Sequence, residues 1–70
     1  MINHKENILK LKDGESYFID MGEESGGEIW KKHEWYFLFQ IPQYGGYPMF
    51  DDVYNTHQIE DMINSVLKWT

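Results

Sequence analysis

The sequence predicts a small α+β domain covering residues 1–70: an antiparallel β-meander of four or five strands with one C-terminal α-helix packed on one face. Three observations predict it. Ile59, Met62, Ile63, Val66 and Trp69 recur at helical spacing near the C-terminus. Residues 35–41 form an aromatic-rich run that alternates as strands do. Asp13-Gly14, a strong two-residue hairpin signal, stands between two further apolar segments.

In chain order, residues 8–12 and 16–21 flank Asp13-Gly14 and read as the first two strands. The competing reading is a short helix that starts at Asn3, is capped through Glu6 and ends at Gly14. Ile8, Leu9 and Leu11 fit a helical stripe poorly, which favours the hairpin. Residues 22–27, with Glu23 and Glu24 among glycines, read as a flexible acidic loop. Residues 29–34 form either a separate short strand or the start of the long one. Residues 50–54 pair with residues 35–41 through Pro42-Gln43-Tyr44-Gly45-Gly46-Tyr47-Pro48.

The helix is expected over residues 56–69, with Leu67 widening its stripe. Asn55 caps its first amides, Gln58 reaches back in a capping box, and Tyr54 with Ile59 occupies the hydrophobic-staple positions. Glu60 and Asp61 near its start and Lys68 near its end suit the helix dipole.

Alternation along the long strand sets Trp35, Phe37, Phe39 and Ile41 on one face and Tyr36, Leu38 and Gln40 on the other. The first set is wholly apolar and is expected beneath the helix. One helix covers one face, so Tyr36 and Leu38, with Phe18 and Phe50 beside them, are expected on the uncovered side. Contiguous apolar patches on small proteins mark contact sites. Tyr44 and Tyr47, in a loop stiffened by prolines, add contact area at low entropic cost. A plain solvated sheet and a hairpin connection with its tyrosines folded back are the competing readings.

Composition narrows the function classes. A chain 41% hydrophobic and 17% aromatic has the means to fold. Its longest apolar run, residues 35–39, is far below the ~20 residues of a membrane span. Residues 1–7 lack the apolar core of a signal peptide, and the absence of cysteine favours a reducing, cytoplasmic setting. Twelve carboxylates against six lysines give a net charge of −6, which opposes direct binding to nucleic acid or anionic membranes. A chain this short buries only about 60% of its unfolded surface, so dense aromatic packing or self-association is expected to reinforce it.

No chemistry-bearing motif emerges. His4, His33 and His57 share no helical ligand spacing, and His33-Glu34 lacks the second histidine of a zinc-protease motif. Read as strand neighbours, His33 and Glu34 point apart, and so do Asp51 and Asp52. Ser16, Ser25 and Ser65 have no neighbouring base. The glycines of residues 22–27 carry glutamates that would repel a phosphate. Lys31-Lys32 before the strand aromatics resembles an RNA-binding sheet in outline only, since the glycines of that motif are missing.

The expectation is therefore a small acidic, non-catalytic cytoplasmic protein without metal or cofactor. It engages a protein partner or a second copy of itself through an aromatic sheet face (Tyr36, Leu38, Phe50) and the Tyr44–Tyr47 loop. The alternative is an acidic inhibitor that mimics nucleic acid, of a kind phages and mobile elements encode. Asp51, Asp52, Glu60 and Asp61 would then be its phosphate surrogates.

Overall fold

The computed structural model describes residues 3–69; the first two residues of the segment read for a leader lie outside it. The chain runs α1 (His4–Leu9), β1 (Ser16–Gly22), β2 (Ser25–Lys32), β3 (Trp35–Ile41), β4 (Met49–Asn55), a 3-10 turn (Thr56–Gln58) and α2 (Ile59–Leu67). The strands form one antiparallel meander in the order β1-β2-β3-β4, and the helices pack on one side of it. This is the expected α+β architecture, with four strands.

The N-terminal segment is helical, which corrects the hairpin expected over residues 8–12. The Asn3 side chain accepts the Glu6 amide at 3.0 Å, and Glu6 pairs with Lys10 one turn on. The apolar residues alone make a poor stripe because half of the inward face is polar and only partly buried. His4, Asn7, Ile8 and Leu11 share it, and His4 Nδ1 and Asn7 Nδ2 lie 2.7 and 3.4 Å from the Tyr17 hydroxyl. Asp13-Gly14 joins α1 to β1 instead of closing a hairpin. Gly14 adopts φ +86° and donates its amide to the Lys31 carbonyl, while Asp13 accepts the His33 amide.

The segment expected to be a flexible acidic loop is a tight hairpin. Gly22 pairs with Ser25, and Glu23 and Glu24 both take positive φ, as a two-residue turn of this hand requires. Gly26 and Gly27 lie buried within β2. A Cβ on Gly27 would stand 2.8 Å from a Val66 methyl, so this glycine lets α2 approach the sheet closely. The second hairpin turns at His33-Glu34, so residues 29–32 belong to a strand separate from β3. Pairing of β4 with β3 slips between Leu38 and Phe39, leaving Asp51 as the extra residue of a bulge.

The C-terminal element begins as expected. Asn55 Oδ1 accepts the His57 amide at 2.9 Å, and Gln58 Oε1 accepts the Asn55 amide at 3.1 Å, a complete capping box. Its first turn is 3-10 and the α-helix proper occupies Ile59–Leu67. Lys68 and Trp69 donate to the last carbonyls.

The face beneath the helices is the opposite of the one expected. Ile8, Ile19, Ile29, Tyr36, Leu38, Ile59, Met62, Ile63 and Val66 form the core, with Tyr36 at 2% and Leu38 at 0% exposure. Tyr36 and Leu38 are therefore core residues, and Trp35, Phe37 and Phe39 face away from the helices. The neighbouring strands decide this. Ile29 stands opposite both Tyr17 and Leu38, and Gly27 opposite Ile19, so the aliphatic residues and the close-approach glycine share the parity of Leu38. Trp30, opposite Phe37, shares the other parity with Asp20, Glu28 and Lys32, which need water.

Candidate functional site: the uncovered sheet face

The face turned from the helices is built by cross-strand register. Ser16, Trp30, Phe37 and Val53 are successive partners across the sheet. On one side of that row stand Phe18, Glu28, Phe39 and Phe50; on the other lie Lys32, Trp35 and Asn55. β-propensity explains why these aromatics form strands: large flat side chains lie well on a pleated surface beside their cross-strand neighbours.

The face remains open. Phe50 is 59% exposed, Trp35 47%, Phe18 43% and Trp30 39%, while Phe37 and Phe39 are half-buried among them. Phe39 and Phe50 meet edge to face with centroids 5.7 Å apart. The Trp30 indole donates to Glu28 Oε1 at 2.7 Å, which fixes the ring and engages the carboxylate. Trp30 and the Phe39–Phe50 pair thus have partners within the face itself.

The loop of residues 42–48 is fastened to the first hairpin. The Tyr44 amide donates to the Glu23 carbonyl at 2.7 Å and Gln43 Nε2 donates to Glu23 Oε2 at 2.7 Å. Its tyrosines project into solvent, Tyr44 at 75% and Tyr47 at 91% exposure. They do not fold back on the sheet. Of the residues expected to make contacts, Phe50, Tyr44 and Tyr47 are accessible and Tyr36 and Leu38 are not.

The four carboxylates of the alternative reading lie on two elements, Asp51 and Asp52 on the edge strand β4 and Glu60 and Asp61 in the first turn of α2. All are exposed. Glu60 is already engaged by Lys5 Nζ at 2.6 Å, tying α1 to α2. That hydrogen bond, with the lysine charge, holds the Glu60 carboxyl below the usual carboxylate range.

One cleft of about 90 Å³ lies between Met21, Gln40, Pro42 and Trp69, and a more open hollow of about 460 Å³ is lined by Glu34, Trp35, Asn55, Thr56 and His57. Among the described residues no three His, Asp or Glu side chains gather to hold a metal ion. His33 and Glu34 occupy a turn, not a strand, and His33 Nδ1 lies 3.5 Å from Asp13. No described helix is long and apolar enough to cross a membrane.

Trp30, Trp35, Phe37, Phe39 and Val53 are the residues of the uncovered face that strand alternation around Trp35 alone assigns wrongly or omits. The signal that finds them is charge parity: Asp20 with Phe18, and Glu28 and Lys32 with Trp30, mark the aromatic side as the wet side. Compared with known proteins, the chain matches no family model, no curated protein and no solved structure.

Proposed function

We propose that this protein is a small non-catalytic, cytoplasmic interaction protein whose contact surface is the open aromatic face, flanked by the Tyr44–Tyr47 loop. The observation that carries the reading is the group of aromatic side chains gathered by cross-strand register on a sheet face that no described element covers. A solvated sheet face ordinarily alternates its apolar positions away from water. Here Phe18, Trp30, Trp35 and Phe50 all lie on the solvent side. Aromatic anchors of this kind dominate binding energy at protein interfaces, because each buries a large area with few rotatable bonds.

Site-specific photo-cross-linking in the native host tests it. A photo-reactive phenylalanine analogue in place of Phe50 or Val53 is expected to give protein adducts, and the same group in place of Asn64, on the outer side of α2, is expected to give none. Adducts from Asn64 alone, or equal yields from all positions, would refute the reading.

A further inference from the structure

We infer that the occupant of the open face is a second copy of this chain, packed sheet on sheet about a two-fold axis that crosses the strands at Trp30, Phe37 and Val53. The inference rests on the contact-face reading above and names its partner.

Area is the first argument. The exposures of these side chains, applied to the 150–250 Å² an aromatic side chain carries, give about 500 Å² of apolar surface on this face. That is about a tenth of the molecule's 4953 Å². With the polar margin included, two such faces bury about 1,200 Å² in total, the lower limit for a specific interface. A small segment laid across the face would leave much of that area wet. A sheet of the same size and the same right-handed twist covers it, since such sheets pack face to face with their strands about 30° apart.

Charge is the second. Ser16, Trp30, Phe37 and Val53 lie at one level across the sheet. Glu28 stands two residues to one side of Trp30 on β2, and Lys32 two residues to the other. A two-fold axis along that level sets Glu28 opposite Lys32 of the second copy, twice over, and Phe39 opposite its Trp35. Trp30, Phe37 and Val53 meet their own counterparts at the centre. The open face is thus complementary to itself. The sheet edge at β4 is not, because the bulged Asp51 and neighbouring Asp52 set like charges against any copy that tries to add a strand there.

Light-scattering mass across a hundredfold concentration range tests the inference. The expected result is a species of about 17 kDa, twice the 8.4 kDa chain, dissociating on dilution. Val53→Glu and Phe50→Glu should each return the mass to that of one chain with the far-ultraviolet circular dichroism unchanged. Asp61→Asn should remain dimeric. Glu28→Lys should raise the dissociation constant at least tenfold, and adding Lys32→Glu should restore it. A single-chain mass at every concentration overturns the inference. If Phe50 and Val53 still give adducts with other proteins, the contact-face reading survives; if they give none, both fall. A dimer indifferent to Val53→Glu and Phe50→Glu, or a Glu28→Lys defect that Lys32→Glu does not repair, also overturns it.

Discussion

Val66 of α2 packs directly over Gly27, and Gly27→Ala tests which sheet face α2 covers. The added Cβ would lie 2.8 and 2.9 Å from the two methyls of Val66 and 3.3 Å from a Leu38 methyl, and Val66 and Leu38 are both fully buried. Neither neighbour is the free end of a long side chain, so α2 or β2 must shift. Overpacking of this kind costs about 1–3 kcal/mol. Glycine replacement at a permitted φ returns about 0.4–1 kcal/mol through the unfolded chain. The net expectation is a loss of about 1–2 kcal/mol, which in a domain of this size lowers Tm by about 4–15 °C. Thermal and urea unfolding followed by tryptophan fluorescence measure it. Val66→Ala alone removes two buried methyl equivalents at about 0.8 kcal/mol each, with a cavity penalty added. In the double variant the new methyl occupies space that Val66 vacates, so the two effects should fall short of additivity by about 1 kcal/mol. A Gly27→Ala protein as stable as the parent, or strictly additive effects, would mean that α2 does not press on β2 at this point, and the division between core and open face would fail with it.

Leu38→Ala should destabilise by about 2–5 kcal/mol and Phe50→Ala by well under half of that in the monomer, because the first leaves a cavity and the second ring is mostly solvated; equal losses would contradict the face assignment. Glu24 sits at φ +63°, and Glu24→Gly should relieve about 1–2 kcal/mol of left-handed backbone strain against about 0.4–1 kcal/mol of added unfolded-chain entropy, a net gain of up to about 1 kcal/mol seen as a higher Tm. Asn55→Ala removes the cap of the 3-10 turn and should cost about 1 kcal/mol, read by urea unfolding. Glu60 should titrate below an ordinary glutamate in an NMR pH series and return to the ordinary range in Lys5→Met. Its folded pKa lies below its unfolded one, so the contribution is complete above the unfolded pKa and disappears as pH falls through the folded pKa.

Local chemistry alone determined a large part of this molecule. Asn55 and Gln58 read as a capping box and form one, because the bonds involved span at most three residues and need no partner from elsewhere. The helical stripe from Ile59 to Val66 is buried as its spacing requires, and residues 35–41 and 50–54 pair as strands. The Asn3–Glu6 cap was also legible, but the helix it starts sets half-buried His4 and Asn7 against a tyrosine ten or more residues away, a face that a hydrophobic pattern does not register.

What tertiary structure decided is which side of the sheet stays dry. Strand alternation divides Trp35, Phe37 and Phe39 from Tyr36 and Leu38 without saying which set lies inward, since both are apolar. The answer lies in register with β1 and β2, where Ile19, Ile29 and Gly27 fall on Leu38's side and Asp20, Glu28 and Lys32 on Trp30's. Aliphatic side chains and a glycine admit a helix at close range; a layer of indole and phenyl rings, interspersed with charges that need water, does not. The same register that buried Tyr36 and Leu38 left the larger aromatic surface outside.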